Sequence, residues 1–121
     1  MKGIPFVSRS FSKKYSGNII LTADIQSKLR YQHSVHSQDV VTCMDDNCKV
    51  VVKNTHKKYT SLKYPDSKVY DIFGEVNGKV LFIVGRMFND GNIYIITARW
   101  AEGNESAFYY RNSEVMCIEK E

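Results

Sequence analysis

The sequence predicts an α+β domain: two N-terminal helices packed on an antiparallel β-sheet of about four strands, closed by a short C-terminal helix. Three observations carry that expectation. Asn77-Gly78 and Asp90-Gly91 are turn dipeptides set between apolar, β-branched runs. Asn-Gly is the strongest short-range hairpin signal, because a type I′ turn needs positive φ at both central positions. The run Val80-Leu81-Phe82-Ile83-Val84 is apolar on both faces, as a central covered strand is. Upstream of the sheet, Ile25 and Leu29 lie four apart, and Val40, Val41 and Met44 share one helical stripe. Helices first and hairpin-linked strands after them form an α+β layer structure.

The elements follow in order. Residues 1–18 have no periodicity and read as an N-terminal extension, and 19–112 read as a single domain. Ile19-Ile20-Leu21 is a short apolar run with no element assigned to it. Thr22 or Asp24 caps a helix that runs to about His33, and Ser37 is the N-cap candidate for a second, short helix. Lys49 to Lys53 is β-branched and reads as a strand, followed by a polar loop over 54–66. Three strands come next, Val69 to Val76, Lys79 to Met87 and Asn92 to Trp100, then a helix from Glu102 to Asn112 and a tail over 113–121.

Two-residue turns at both dipeptides fix a pairing. Glu75 faces Val80, Phe73 faces Phe82 and Asp71 faces Val84; on the other side Phe82 faces Arg99, Val84 faces Thr97 and Arg86 faces Ile95. Alternation then puts Tyr70, Ile72, Leu81, Ile83, Tyr94, Ile96, Ala98 and Trp100 on one face, where the helices pack. Asp71, Phe73, Glu75, Phe82, Arg86, Thr97 and Arg99 share the other. Arginine on a sheet face needs an anionic partner. Either Arg86 and Arg99 pair internally with Asp71 or Glu75, or at least one grips a ligand phosphate, which the planar guanidinium fork suits.

Composition narrows the function classes. At 121 residues the length is that of one domain, and no apolar run approaches the roughly 20 residues of a membrane span. The first 18 residues lack the apolar core of a secretion signal. Three cysteines are an odd number for a disulfide framework, so reduced thiols and a cytoplasmic location are expected. Residues 1–64 hold 11 Lys/Arg against 4 Asp/Glu, while 65–121 hold 6 against 9. A basic half-chain suits a polyanionic partner and equally a solvated basic surface. His33, His36, Cys43 and Cys48 match no familiar zinc spacing, and no glycine-rich phosphate loop is present, so neither metal nor cofactor is expected. Cys43 reads as a small core residue.

The C-terminal run Gly78 to Val84, then Ile93-Tyr94-Ile95-Ile96-Thr97-Ala98-Arg99, Glu105 and Tyr109-Tyr110, resembles the BrnT family. Upstream, Lys28-Leu29, His33-Ser34-Val35 and Asp39-Val40-Val41 resemble the helix-pair signature of that family, with Ser34 where glycine is usual. The resemblance covers about residues 19–111. It implies a RelE-type fold, a toxin of a bacterial type II toxin–antitoxin system, ribonuclease activity, and a cognate antitoxin that binds the toxin in a hetero-oligomer. It also implies that Arg99 is the family's strand-end arginine and His33 its helix-pair histidine.

Metal-free RNA cleavage needs a base, an acid and fixed positive charge at the phosphate. Arg99 and Arg86 are the candidates for the charge; Glu75 and His33 are the candidates for base or acid. Lys28, Tyr109, Tyr110 and Arg111 are the candidate RNA contacts, with the tyrosines stacking on splayed bases. His33 can instead pack between the helices, and Arg111 can instead bond the last carbonyls of its helix. The final helix lacks the basic cluster usual in the family, which leaves a second expectation: a non-catalytic RNA- or protein-binding module of the same fold.

Overall fold

A computed structural model describes residues 18–54, 56 and 65–120, with side chains as far as Ser113. The elements are β1 (Ile19–Ile20), α1 (Ala23–His33), α2 (Ser37–Met44), β2 (Val50–Lys53), β3 (Ser67–Val76), β4 (Lys79–Phe88), β5 (Ile93–Trp100) and α3 (Gly103–Lys120). The strands form one sheet in the order β1-β5-β4-β3-β2. The fold is therefore α+β as expected, but the sheet is five-stranded and mixed. The extra strand is the short run Ile19-Ile20, which lies parallel to Ile93 and Tyr94. A two-residue strand has too little pattern to be recognised on its own; the edge of β5 creates it.

Both early helices form where the pattern places them. Thr22 caps α1, its hydroxyl accepting the Ile25 N–H at 3.3 Å. The helix ends at Ser34, which takes a left-handed φ of 56°, and the Val35 N–H reaches back to the Leu29 carbonyl. The cap of α2 lies one residue earlier than expected: the His36 N–H donates to Asp39 Oδ2 at 2.9 Å, and Ser37 is already helical. Leu29, Val35, Val40, Cys43 and Met44 are buried against Ile72, Leu81, Ile83, Ile93 and Ile95. Gly74 lets α2 approach this closely, since a Cβ there would lie 2.7 Å from the Cys43 carbonyl oxygen.

The Asn77-Gly78 hairpin pairs β3 with β4 in the expected register from Ser67–Phe88 to Val76–Lys79. The second hairpin differs. Its loop is wider than a two-residue turn, with the Phe88 N–H bonded to the Asn92 carbonyl and Gly91 at φ 91°. Met87 therefore pairs with Ile93, and Arg86 pairs with Tyr94 rather than with Ile95. A bulge then leaves Ile96 unpaired, and from Val84–Thr97 to Phe82–Arg99 the register is the expected one. The inward residues of β5 are accordingly Ile93, Ile95 and Ala98, while Tyr94, expected in the core, is exposed.

The last helix is longer than expected and lies on the other face. It continues past Asn112 to Lys120, because no glycine or proline follows to stop it. Tyr109 is buried with Val50, Phe73 and Val80, and Phe108 packs on the same cluster. The arrangement is three layers: α1 and α2, the sheet, then α3. The expected tail over 113–120 is thus helix. Cys43 is buried and free, whereas Cys48 is disulfide-bonded, against the expectation of three reduced thiols. Once the core absorbs Cys43, an odd count no longer argues against a bridge. The 54–66 loop lies largely outside the described residues, as do residues 1–17 and most of the lysines of the basic half.

Candidate functional site

The sheet face beneath α3 gathers most of the chemistry. Arg99 sits opposite Phe82, and its guanidinium lies 4.8 Å from the centre of that ring. It is held by an acid, but by neither of the two expected. Both terminal nitrogens donate to Glu105, at 2.8 and 2.7 Å. Glu105 is three residues into the start of α3 and also accepts the Glu102 N–H at 2.8 Å, so it caps the helix while it fixes the arginine. The hydrogen-bonded guanidinium holds the Glu105 carboxyl below its usual range, and the same bond raises Arg99. The pair is only partly covered, with side chains 36% and 20% exposed.

Beside this pair a groove of about 390 Å³ opens between β2, β3 and α3, lined by Val52, Asp71, Phe73, Asn104, Glu105, Phe108 and Arg111. Phe73 packs on both Phe82 and Phe108, with ring centres 5.1 and 5.2 Å away. Asp71 is half-buried in the wall and accepts one hydrogen bond from Asn54, at 2.6 Å on Oδ1. Burial pushes its carboxyl up, and nearby Glu105 adds to the effect, against the opposing pull of Asn54 and Arg99. Two carboxyl groups on one groove thus move in opposite directions. Asn104, Phe108 and Arg111 follow a helical spacing of four and three, which puts them on one side of α3.

A second cluster surrounds Asp46, in the turn after α2. Its Oδ2 accepts the Tyr109 hydroxyl at 2.6 Å and the Glu75 N–H at 2.8 Å, and its Oδ1 accepts the Cys48 N–H. Burial, then the bond to Asp46, raises the Tyr109 phenol. Tyr110 is exposed and donates to Glu75 Oε2 at 3.3 Å. Tyr109 is therefore a core and anchoring residue, while Tyr110 remains accessible for a ligand.

The other expected site residues are dispersed. Arg86 bonds Ser67 through Nη1 at 3.1 Å and stands four residues along β4 from Phe82, roughly 13 Å away at strand rise. His33 and Lys28 belong to α1, on the opposite side of the sheet from Arg99. The structure thus brings together Arg99, Glu75, Tyr109, Tyr110 and Arg111 on the face under α3, but separates His33 and Lys28 from them. Asp46, Asn54, Asn104 and Phe108 escaped sequence reading; for the last two, the spacing with Arg111 was the available signal.

No family model matches this chain, and no curated protein matches it either. Among the described residues no helix is long and apolar enough to cross a membrane.

Proposed function

We propose that the chain is a metal-independent ribonuclease of the RelE-like, BrnT type, the toxin component of a type II toxin–antitoxin system held in check by a cognate antitoxin. What carries the reading is the convergence of Arg99, Glu105, Tyr109 and Tyr110, the residues of the C-terminal resemblance, on one sheet face. In this reading Arg99 stabilises charge on the reacting phosphate, and ionised Glu105 takes the 2′-hydroxyl proton on the lone pair left at Oε2 as O2′ bonds phosphorus. The P–O5′ bond breaks, the departing 5′-oxygen takes its proton from water, and a 2′,3′-cyclic phosphate is left. Glu105 takes the role that Glu75 and His33 were candidates for: it touches the arginine directly, whereas His33 lies across the sheet. The cytoplasm is where such a toxin meets RNA. The disulfide at Cys48 weighs the other way, since such bonds are rare in reducing compartments.

The test is induced expression of wild type beside Arg99→Ala in a bacterium, with growth and total RNA followed in time. Arrest with RNA loss, both absent in the variant, is the expected result. Normal growth with intact RNA and folded protein would turn the case to the second reading, a non-catalytic RNA- or protein-binding module. One observation favours that alternative: both terminal nitrogens of Arg99 are already engaged by Glu105. Binding to RNA that weakens steeply with salt and yields no cleavage products would identify an RNA-binding module.

A further inference from the structure

We propose that the groove between β2, β3 and α3 holds one unpaired guanine of an RNA strand, read by the Asp71 carboxylate. The proposal rests on the RNA-directed reading above and adds which base is bound and where.

The groove has the dimensions and the two kinds of surface that a base needs. Its volume of about 390 Å³ lies at the lower end of small-ligand sites, which span roughly 300–1,000 Å³. Val52, Phe73 and Phe108 make an apolar, largely aromatic floor. Unpaired bases are held by stacking on such side chains. The walls are polar, and the two acids on them are not equivalent. Glu105 Oε1 accepts from both Arg99 and the Glu102 N–H and Oε2 from Arg99, so Glu105 keeps one lone pair and cannot take two parallel donors. Asp71 accepts a single side-chain bond among the described residues, on Oδ1, so Oδ2 and a second lone pair of Oδ1 remain for a ligand.

A carboxylate accepts two parallel N–H bonds from guanine, from N1–H and the 2-amino group. Adenine, cytosine and uracil present no adjacent pair of donors on that edge. Asn104 adds an amide beside the same groove. At its mouth Arg111 is exposed and has no ionic partner among the described residues, which leaves its fork for a backbone phosphate. The groove therefore offers stacking, a base-edge reader and a phosphate contact in one place.

The experiment is titration of the ¹⁵N-labelled full chain with the four 5′-ribonucleoside monophosphates, then with short single-stranded RNA with and without guanine. Expected are shifts at Asp71, Asn104 and Phe108 on adding GMP, with affinity about tenfold or more above the other three nucleotides. The near-isosteric Asp71→Asn should abolish that preference without unfolding the chain, and Arg111→Ala should weaken all nucleotides alike. No shift in the groove with any nucleotide, or equal binding of all four, overturns the proposal. RNA that binds without perturbing the groove overturns the subsite and leaves the RNA-directed reading standing. GMP in the groove with no binding of guanine-containing RNA overturns the RNA reading instead and leaves a site for free guanine nucleotides.

Discussion

Asp71 and Glu105 share a groove and respond to pH with opposite signs. Asp71 has a raised folded value, so the fold disfavours its charge. That cost is fully present above the folded value and is relieved as pH falls through it. Asp71→Asn should therefore raise the melting temperature at neutral pH, and the gain should shrink in melts taken down to about pH 4, the usual carboxylate range. A residue that costs stability in a cleft is a candidate for function. The same ionisation makes guanine binding weaken in acid, with Asn54, Arg99 and Glu105 as the groups facing Asp71. Glu105 has a lowered value, so its stabilisation is present above the unfolded carboxylate pKa of about 4.3 and is lost as pH falls through the folded one. Because solvent screens the pair, Glu105→Gln should cost about 1 kcal/mol or less at pH 7, read by denaturant midpoint, and should flatten the acid limb.

Two positions between elements carry opposite expectations. Ser34 ends α1 at a left-handed φ of 56°, a conformation in which glycine has no steric penalty. Ser34→Gly should stabilise by up to about 1 kcal/mol, with the Trp100 indole still donating to the residue's carbonyl. Gly74→Ala should destabilise by about 1–3 kcal/mol, since its Cβ would meet the buried Cys43 sulfur at 2.6 Å and also the Cys43 backbone carbonyl of α2 at 2.7 Å, which a side-chain rotation does not relieve. Denaturant melts check both. Elements were legible where local chemistry decides them. Asn77-Gly78 specifies its turn, so the β3–β4 register follows residue by residue. Thr22 and the Ile25–Leu29 spacing place α1. Asp90-Gly91 reads like the same kind of turn, yet the loop is wider, because Asn92 bonds back to Phe88 and Asp90. β1 exists only because a strand edge receives it, and α3 runs on because nothing local ends it.

At the scale of the molecule, the sheet divides two interiors, and that division was not readable from the pattern. Alternation identifies a polar-aromatic face, but not that α3 returns to roof it and brings Glu105 onto Arg99. Asp71 and the α3 residues meet across a long stretch of chain, with no shared motif to announce it. The larger interior should dominate stability: Leu29→Ala, fully buried under α1, should cost about 2–5 kcal/mol by denaturant midpoint. The bulge on β5 has a consequence for length. Ile96 is the one residue there without a partner, and the residues on either side of it already keep a single inward phase. Removing it joins Ile95 to Thr97 in plain alternation, so the inward set Ile93, Ile95 and Ala98 survives a chain one residue shorter. Removing Ala98 instead also restores plain alternation, with Trp100 inward and Arg99 outward as before, but it turns Thr97 inward in place of Ala98 and sets a hydroxyl in the core. The strand thus tolerates loss of a whole residue at Ile96 with its inward set intact, and of the two single-residue deletions the one at Ile96 should melt at the higher temperature; equal melting of the two would overturn this.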